Sequence, residues 1–478
     1  MPFKDLREYI AKLEQEGEAI QIETEVDWNL EAGAIARRAA EKGLPAPFFQ
    51  KIKGYPPGYR LAGNLASSFR RMAIMMDMHP DAHPRELINE YIKRRNHQIK
   101  PVIVKDGPCK ENVFIGDKVD LFKFPVPMIH EGDGGRYIGT WHVIITKDVD
   151  SDWVNWGMYR IMVHDKSSVG ILMASLGKHL WTIFSQGYMP RNKLMDVAIA
   201  IGVEPISTMC AASPLPPGIS EVDVVGGIRG EPVELIKCET TDLYVPATAE
   251  IIIEGEISAG DVKDEGPFGE FTGYMSGKKL PRPVIRVKAV THRNNPILTM
   301  CSAGTPVDDN AVFSLTKAAE LLDTLRAQRK PVSSVFVPLE TTHMLTIVAT
   351  TKARYPGVAE DIAHTIWAQA SAGHETPYII VVEDDIDPFN LNEVIYTLVT
   401  KCHPSKGIVK LDNATVISIA PWLSVQEQKR KLGAKVYFDC TWPLDWDPED
   451  VPKRISFAQA YPKDIQDKAL DLWHRHGF

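Results

Sequence analysis

The chain has 478 residues, with 54 Lys and Arg against 62 Asp and Glu for a formal net charge of -8; 44% of its residues are hydrophobic and 24% charged. This is ordinary globular composition, and at about 100–200 residues per domain it predicts two or three domains. Mild acidity without a block of like charge gives no footing for a nucleic-acid partner, and no apolar run approaches the ~18 residues of a membrane span.

The six cysteines are scattered and form no Cys-x-x-Cys pair, which reads as free thiols in a reducing compartment. Charged residues follow Met1-Pro2-Phe3 at once, with no secretory pattern, so a cytoplasmic protein is expected.

In chain order, Phe3, Leu6, Ile10 and Leu13 recur at helical spacing and Gly17 can end that helix. Ile20, Ile22 and Thr24 alternate as in a strand, and residues 30–42 predict a second helix closed by Gly43. Residues 54–58 are a Pro- and Gly-rich loop. Residues 1–110 are therefore expected to form an α/β domain.

Residues 111–294 are richer in strand patterns, at 141–146, 159–164, 169–174, 233–238, 250–254 and 284–290, with a short apolar stretch at 194–202. A barrel or sandwich is expected there. Residues 295–455 alternate again: strand 297–301, helix 312–326, strands 334–337 and 345–349, helix 357–370, strand 378–382, helix 391–400 and strand 416–420. This is a second α/β domain. Residues 456–478 hold an amphipathic helix at 462–476. Its Ile465, Ala469, Leu472 and Trp473 share one side, which must pack on the chain itself or on a partner.

Generic catalytic motifs are absent: there is no Walker A loop and no Gly-x-Ser-x-Gly. Gly226, Gly227 and Gly230 faintly resemble a phosphate loop, but Pro232 stands where its helix should begin. His79 and His83 have metal-ligand spacing, yet Pro80 and Pro84 forbid the helix that would aim both at one ion. Asp384, Asp385 and Asp387 lie between a strand and a helix, where acids more often satisfy the helix N-terminus than hold a metal.

The segment Asp264-Glu265-Gly266-Pro267-Phe268-Gly269-Glu270-Phe271-Thr272-Gly273-Tyr274 places two glutamates around Gly-Pro-Phe-Gly. Five positions apart on a straight strand they would face opposite ways, and the Gly and Pro residues permit a bend that joins them. Two carboxylates in a poorly solvated pocket push one pKa up and yield a proton donor near neutral pH. An acidic surface turn or a structural ion pair would leave the same spacing.

Glu-Gly-Pro-Phe-Gly-Glu is similar to the signature of the UbiD family of decarboxylases. Further similarity lies in Asn155-Trp156-Gly157-Met158-Tyr159-Arg160, in Lys237-Cys238-Glu239-Thr240 with Val245-Pro246-Ala247-Thr248-Ala249-Glu250, and in Phe124-Pro125-Val126-Pro127 with Asp133-Gly134-Gly135-Arg136-Tyr137. The closing Tyr461-Pro462 and Gly477-Phe478 also match, so the resemblance spans nearly the whole chain in order.

The resemblance implies an N-terminal α/β domain, a central split β-barrel that binds flavin, and a C-terminal α/β domain with a terminal helix. It implies prenylated FMN as cofactor, made by a UbiX-type prenyltransferase, and a homodimer or homohexamer joined through the C-terminal region. Asn155, His179 and Glu239 match ligands of Mn2+ (or Mg2+), and oxygen donors with one imidazole suit such an ion. Lys435 matches a lysine near the cofactor phosphate, although Ala434 replaces the usual glycine. Trp156, Met158 and Arg160 complete the cofactor-binding set. A K+ site is implied near Ser213-Pro214-Leu215-Pro216, where Ala211 and Ala212 replace the serines of some relatives.

Arg160, Glu265 and Glu270 match the catalytic set, with Glu270 as proton donor. Phe271, Asn310, Ser314, Asp439 and Thr441 match pocket positions. Their polarity favours a hydroxybenzoic or heteroaromatic acid over a phenylacrylic one, since an unpaired buried polar group costs about 1–3 kcal/mol. The competing classes are an FMN-dependent reductase, which would consume NAD(P)H, and a non-catalytic binding protein.

Overall fold

Asp5 starts the first helix, Leu6–Gln15, by accepting the Glu8 N–H, and Leu6, Tyr9, Ile10 and Leu13 bury one face of it. The second helix, Glu31–Lys42, ends at Gly43 with a left-handed φ of +62°. The computed structural model describes residues 3–173, 177–369 and 372–477. The predicted element ends at Ala174 and Ala370, together with Met1, Pro2 and Phe478, lie outside the described residues.

Strands Ala19–Ile22, Ala46–Phe49, Arg60–Gly63 and Ile297–Met300 form a four-stranded sheet in that order. Its last strand pairs in parallel with Arg60–Gly63. The strand expected to open the third section therefore completes the first sheet. All four of its residues are buried, and such a strand needs cover on both faces.

The middle of the chain builds a nine-stranded sheet. Its order is Tyr137–Gly139, Ile161–Asp165, Ser168–Ile171, Leu280–His292, Ile251–Glu265, Met195–Ile201, His142–Lys147 and Val154–Gly157, with Asn112–Ile115 also paired to Leu280–His292. Every pairing is antiparallel. The two long strands shift register after Glu254 and again after Ile257, and such bulges bend and twist a sheet. The predicted strand at 250–254 runs on to Glu265. Its far half is partly exposed and carries Asp261, Lys263 and Asp264, which weakens the apolar pattern there.

The third sheet has five strands in the order Val332–Phe336, Leu345–Thr350, Tyr378–Val382, Leu432–Cys440 and Ile408–Thr415. Helices Val312–Ala327, Val358–Trp367 and Leu391–Thr400 alternate with it in sequence. Residues 416–420 are not a strand. Val416, Ile417 and Ala420 instead fill a small apolar cluster with Met344 and Leu423, and the Ile417 N–H donates to the His374 carbonyl at 3.0 Å.

Three weak motifs resolve as structural. Gly226 and Gly227 lie inside helix Glu221–Arg229, and Gly230 caps it at φ +76°. A Cβ at either of the first two would strike the carbonyls of Ile99 or His97, so these glycines serve close packing and no phosphate loop exists. His83 caps helix Pro84–Arg95 in a capping box with Glu86. Asp385 pairs with Lys401 at 3.2 Å and Asp387 with Arg85 at 3.0 Å.

All six cysteines are free and buried. No helix among the described residues is long and apolar enough to cross a membrane. The terminal helix, Lys463–Arg475, has no buried residue, and its Leu472 is 55% exposed.

Candidate active site

Arg160 leads into strand Ile161–Asp165, and Glu265 ends the long strand Ile251–Glu265. Their side chains meet in a two-pronged ion pair, Nε to Oε1 and Nη2 to Oε2, both at 2.8 Å. The remaining Arg160 nitrogen binds Glu270 and, at 2.9 Å, the Ser276 hydroxyl. One guanidinium thus serves two carboxylates, and Tyr137 donates its hydroxyl to Glu265 at 2.9 Å. Burial raises the Glu270 pKa above the usual carboxylate range; Arg160 opposes this, and the Glu265 charge adds to it. An acid whose pKa is raised gives up its proton less readily than a free glutamic acid.

A glycine-lined cradle makes the bend between the two glutamates. Gly266 has φ +86°, a region that favours glycine. Asp133 accepts the N–H groups of Gly269 and His130, each at 2.9 Å, and the Gly134 N–H donates to the Pro267 carbonyl at 2.7 Å. A Cβ on Gly134 would collide with the Gly266 carbonyl, and one on Gly269 with the His130 ring. The short ladder of Phe268–Gly269 with Met275–Ser276 closes the turn. This explains in contacts why Asp133-Gly134-Gly135 accompanies the glutamate signature.

A second polar cluster lies along strand Val154–Gly157. The Asn155 amide nitrogen is 3.1 Å from Glu221 Oε1 and 3.5 Å from His179 Nδ1. Glu221 accepts the Trp156 N–H at 2.7 Å and lies 3.8 Å from His179. Burial raises the Glu221 pKa, and its bonds to His179 and Trp156 oppose the shift.

Glu239 does not join this cluster. Its carboxylate pairs with Lys110 at 2.6 Å, and its N–H donates to Glu254 at 2.7 Å. The acid brought to Asn155 and His179 is Glu221, in the first turn of helix Glu221–Arg229. Nothing in its local sequence distinguishes it from an ordinary helix-start acid.

No group of three His, Cys, Asp or Glu side chains is assembled among the described residues; here an asparagine completes the set. Asn155 Oδ1 is a buried acceptor without a hydrogen-bond partner among the described residues. An orphaned amide oxygen beside a carboxylate and an imidazole fits a divalent cation. The Trp156 indole N–H is likewise buried and unpartnered, which leaves it available to a cofactor acceptor.

Asn155, Trp156, Met158, His179 and Glu221 line one cleft of about 430 Å3 together with Lys178, Phe313 and Glu375. Lys178 and Glu375 form an ion pair at 2.8 Å between the nine-stranded and five-stranded parts of the chain. Against burial, Lys178 and nearby cations bring the Glu375 pKa down to about 2. Ala211, Ala212, Ser213 and Pro214 also line the cleft, but the Ser213 hydroxyl is engaged by Tyr91 at 2.8 Å and Met209 at 3.0 Å.

Lys435 is buried away from the cleft lining. Its ammonium donates to the Gly373 carbonyl at 2.9 Å and lies 5.9 Å from the Trp367 ring centre. Burial brings its pKa down to about 8. The lysine lining the cleft is Lys178.

The predicted pocket residues divide. Phe271 lies 6.4 Å from Phe313 and 5.5 Å from His343, ring centre to ring centre, and Ser314 contacts His343 at 3.1 Å. Asn310 is turned to Asp308 at 2.8 Å, within a buried acidic turn. Asp439 accepts the Thr441 N–H at 3.0 Å and its hydroxyl at 2.7 Å. That closed pair stands at the end of strand Leu432–Cys440, where the Asp439 N–H donates to Gly407. Sequence reading missed Tyr137, Ser276, Glu221, Lys178, Glu375 and His343, because each acts through a contact distant in sequence.

Three family models match, described as the 3-octaprenyl-4-hydroxybenzoate carboxy-lyase N-terminal domain over residues 10–91, Rift-related domain over 100–306 and C-terminal domain over 310–440. The pyrrole-2-carboxylic acid decarboxylase of Pseudomonas aeruginosa is 32% identical over 99% of this chain and 98% of its own. The vanillic acid decarboxylase of Sedimentibacter hydroxybenzoicus in closed form superposes with a TM-score of 0.91 at 30% identity over 100% of both chains. Its open form gives 0.82 over 99% of both. An evolved dimeric form of the UbiD-class enzyme HmfF from Pelotomaculum thermopropionicum, in complex with prFMN, gives 0.80 at 27% identity over 94% of this chain and 97% of its own.

Proposed function

The chain belongs to the UbiD family, and from that premise we propose that it is a carboxy-lyase that decarboxylates an aromatic acid, hydroxybenzoic or heteroaromatic, with prenylated FMN. The observation that carries this reading is Arg160 held between Glu265 and a buried Glu270 whose pKa burial raises.

When bound, prenylated FMN supplies the electron sink for the pair released as the C–CO2 bond breaks. Asn155, His179 and Glu221 would hold Mn2+ or Mg2+, and Lys178 would offer a positive charge to the cofactor from the same cleft lining. Trp156 and Met158 would line the cofactor, and K+ would rest on backbone carbonyls near Ser213. Glu265 keeps Arg160 in place, and Arg160 orients the substrate carboxylate through its planar charge. Glu270 then gives its proton to the carbon that lost CO2 and regains one before the next cycle.

The nine-stranded sheet serves as the split-barrel flavin domain, between an N-terminal α/β domain, which residues 1–110 build together with strand Ile297–Met300, and a C-terminal one that follows that strand and runs to residue 455. The helix within 456–478 joins copies into a dimer or hexamer. A UbiX-type prenyltransferase supplies the cofactor, and the enzyme works in the cytoplasm.

The test is to co-produce the chain with such a prenyltransferase, identify the released flavin by mass spectrometry and assay aromatic acids for CO2 release. Prenylated FMN with CO2 release is expected. Plain FMN with NAD(P)H oxidation would replace this reading with a reductase.

A further inference from the structure

Thr342 and His343 both have left-handed backbones, φ +49° and +63°. Such conformations are uncommon for residues other than glycine, more so for a β-branched one, and persist only where the surroundings hold them. The turn is clamped from below. The buried Lys317 ammonium binds the His343 carbonyl and, at 2.8 Å, the Glu375 carbonyl. The His343 ring is clamped as well, with Nδ1 3.1 Å from the Ser314 hydroxyl.

The ring centre of His343 lies 5.5 Å from Phe271 and 5.6 Å from Phe313. Phe271 directly follows Glu270 in sequence, and Phe313 lines the cleft. The three rings are tilted against one another by 39–54°, and Phe313 carries this cluster to the cleft with one imidazole set among the rings. Burial brings the His343 pKa down to about 3, and Lys317 pushes the same way, so the ring is neutral at ordinary pH. A neutral imidazole has one donor and one acceptor nitrogen. With Nδ1 committed to Ser314, Nε2 is the nitrogen left to meet a ligand.

We propose that His343, held by Ser314 and Lys317, is a specificity-determining residue whose Nε2 hydrogen-bonds a hydroxyl group on the ring of the substrate acid. The inference rests on the decarboxylase reading of the same site and deepens it by naming the substrate feature that is read. Phe271 and Phe313 flank the substrate ring, while His343 selects its substituent. A ring without that hydroxyl leaves the imidazole unpaired.

The experiment measures dissociation constants of 3-hydroxybenzoate, 4-hydroxybenzoate and benzoate for the flavin-loaded enzyme by calorimetry, in wild type, His343→Phe and Ser314→Ala. Wild type is expected to bind one hydroxylated acid about 10- to 100-fold more tightly than benzoate, and His343→Phe to narrow that ratio to within about 3-fold. Ser314→Ala should narrow it in part, and it carries the test if His343→Phe does not fold. No preference in wild type, or a preference that survives the substitutions, overturns the proposal. Preference lost with His343 in an enzyme that releases no CO2 would sink the decarboxylase reading and leave the recognition intact. CO2 release with an unaltered binding ratio would do the reverse.

Discussion

Glu270 can give a proton only while it holds one. Its pKa is raised, chiefly by burial, so the protonated form persists to higher pH than in a free glutamic acid and is lost as pH climbs through the raised value. Turnover should therefore fall on the alkaline side, and a pH profile of kcat should show that limb. Glu270→Gln should lower kcat by at least about 10²-fold while bound flavin, read by its absorbance, is retained. The second residue-scale expectation separates two acids. Glu221→Ala should strip metal and flavin, seen by elemental analysis and absorbance, whereas Glu239→Gln should leave both near wild-type levels, because only Glu221 meets Asn155 and His179. Arg160, Glu265 and Glu270 were legible in the sequence because two of them share one short motif and the third closes another. Glu221 was not, since its partners come from a strand and a helix 66 and 42 residues earlier in the numbering. A lone acid at a helix start has many bland explanations.

At the scale of elements, the loop 130–135 acts as a mould for the turn between Glu265 and Glu270, and its small residues are there for clearance. Gly134→Ala should force the Gly266 carbonyl aside. A stability loss of about 1–3 kcal/mol, the usual range for overpacking, should appear as a lowered thermal midpoint together with a lower kcat. Several elements followed from periodicity: the first two helices, the helix Val312–Ala327 and the strand Tyr378–Val382 lie within a few residues of expectation. The misreading at 416–420 has a physical origin. A five-residue apolar run can bury itself in a loop cluster as readily as in a sheet. The true edge strand, Ile408–Thr415, is mostly exposed and so lacks an apolar face to announce it.

For the whole molecule, the fold superposes better on a relative's closed form than on its open form, with TM-scores of 0.91 and 0.82. The Lys178–Glu375 pair bridges the two parts that form the cleft, so any separation of those parts would break it. Glu375→Gln should therefore shift kcat and KM together, as changes to closing elements do, with little change in the thermal midpoint. The bare apolar side of Lys463–Arg475 has its own expected readout: Ile465→Glu with Leu472→Glu should lower the solution mass seen by light scattering if copies join there.

The return of Ile297–Met300 to the first sheet has a consequence for how the chain is made. The opening segment leaves the ribosome early, yet its sheet waits for a strand translated more than two hundred residues later. Until then Arg60–Gly63 presents an unpaired edge, a template for wrong partners. A nascent chain arrested before residue 297 should be cut by protease within its first hundred residues far faster than one arrested after residue 340, whose delayed strand has left the exit tunnel.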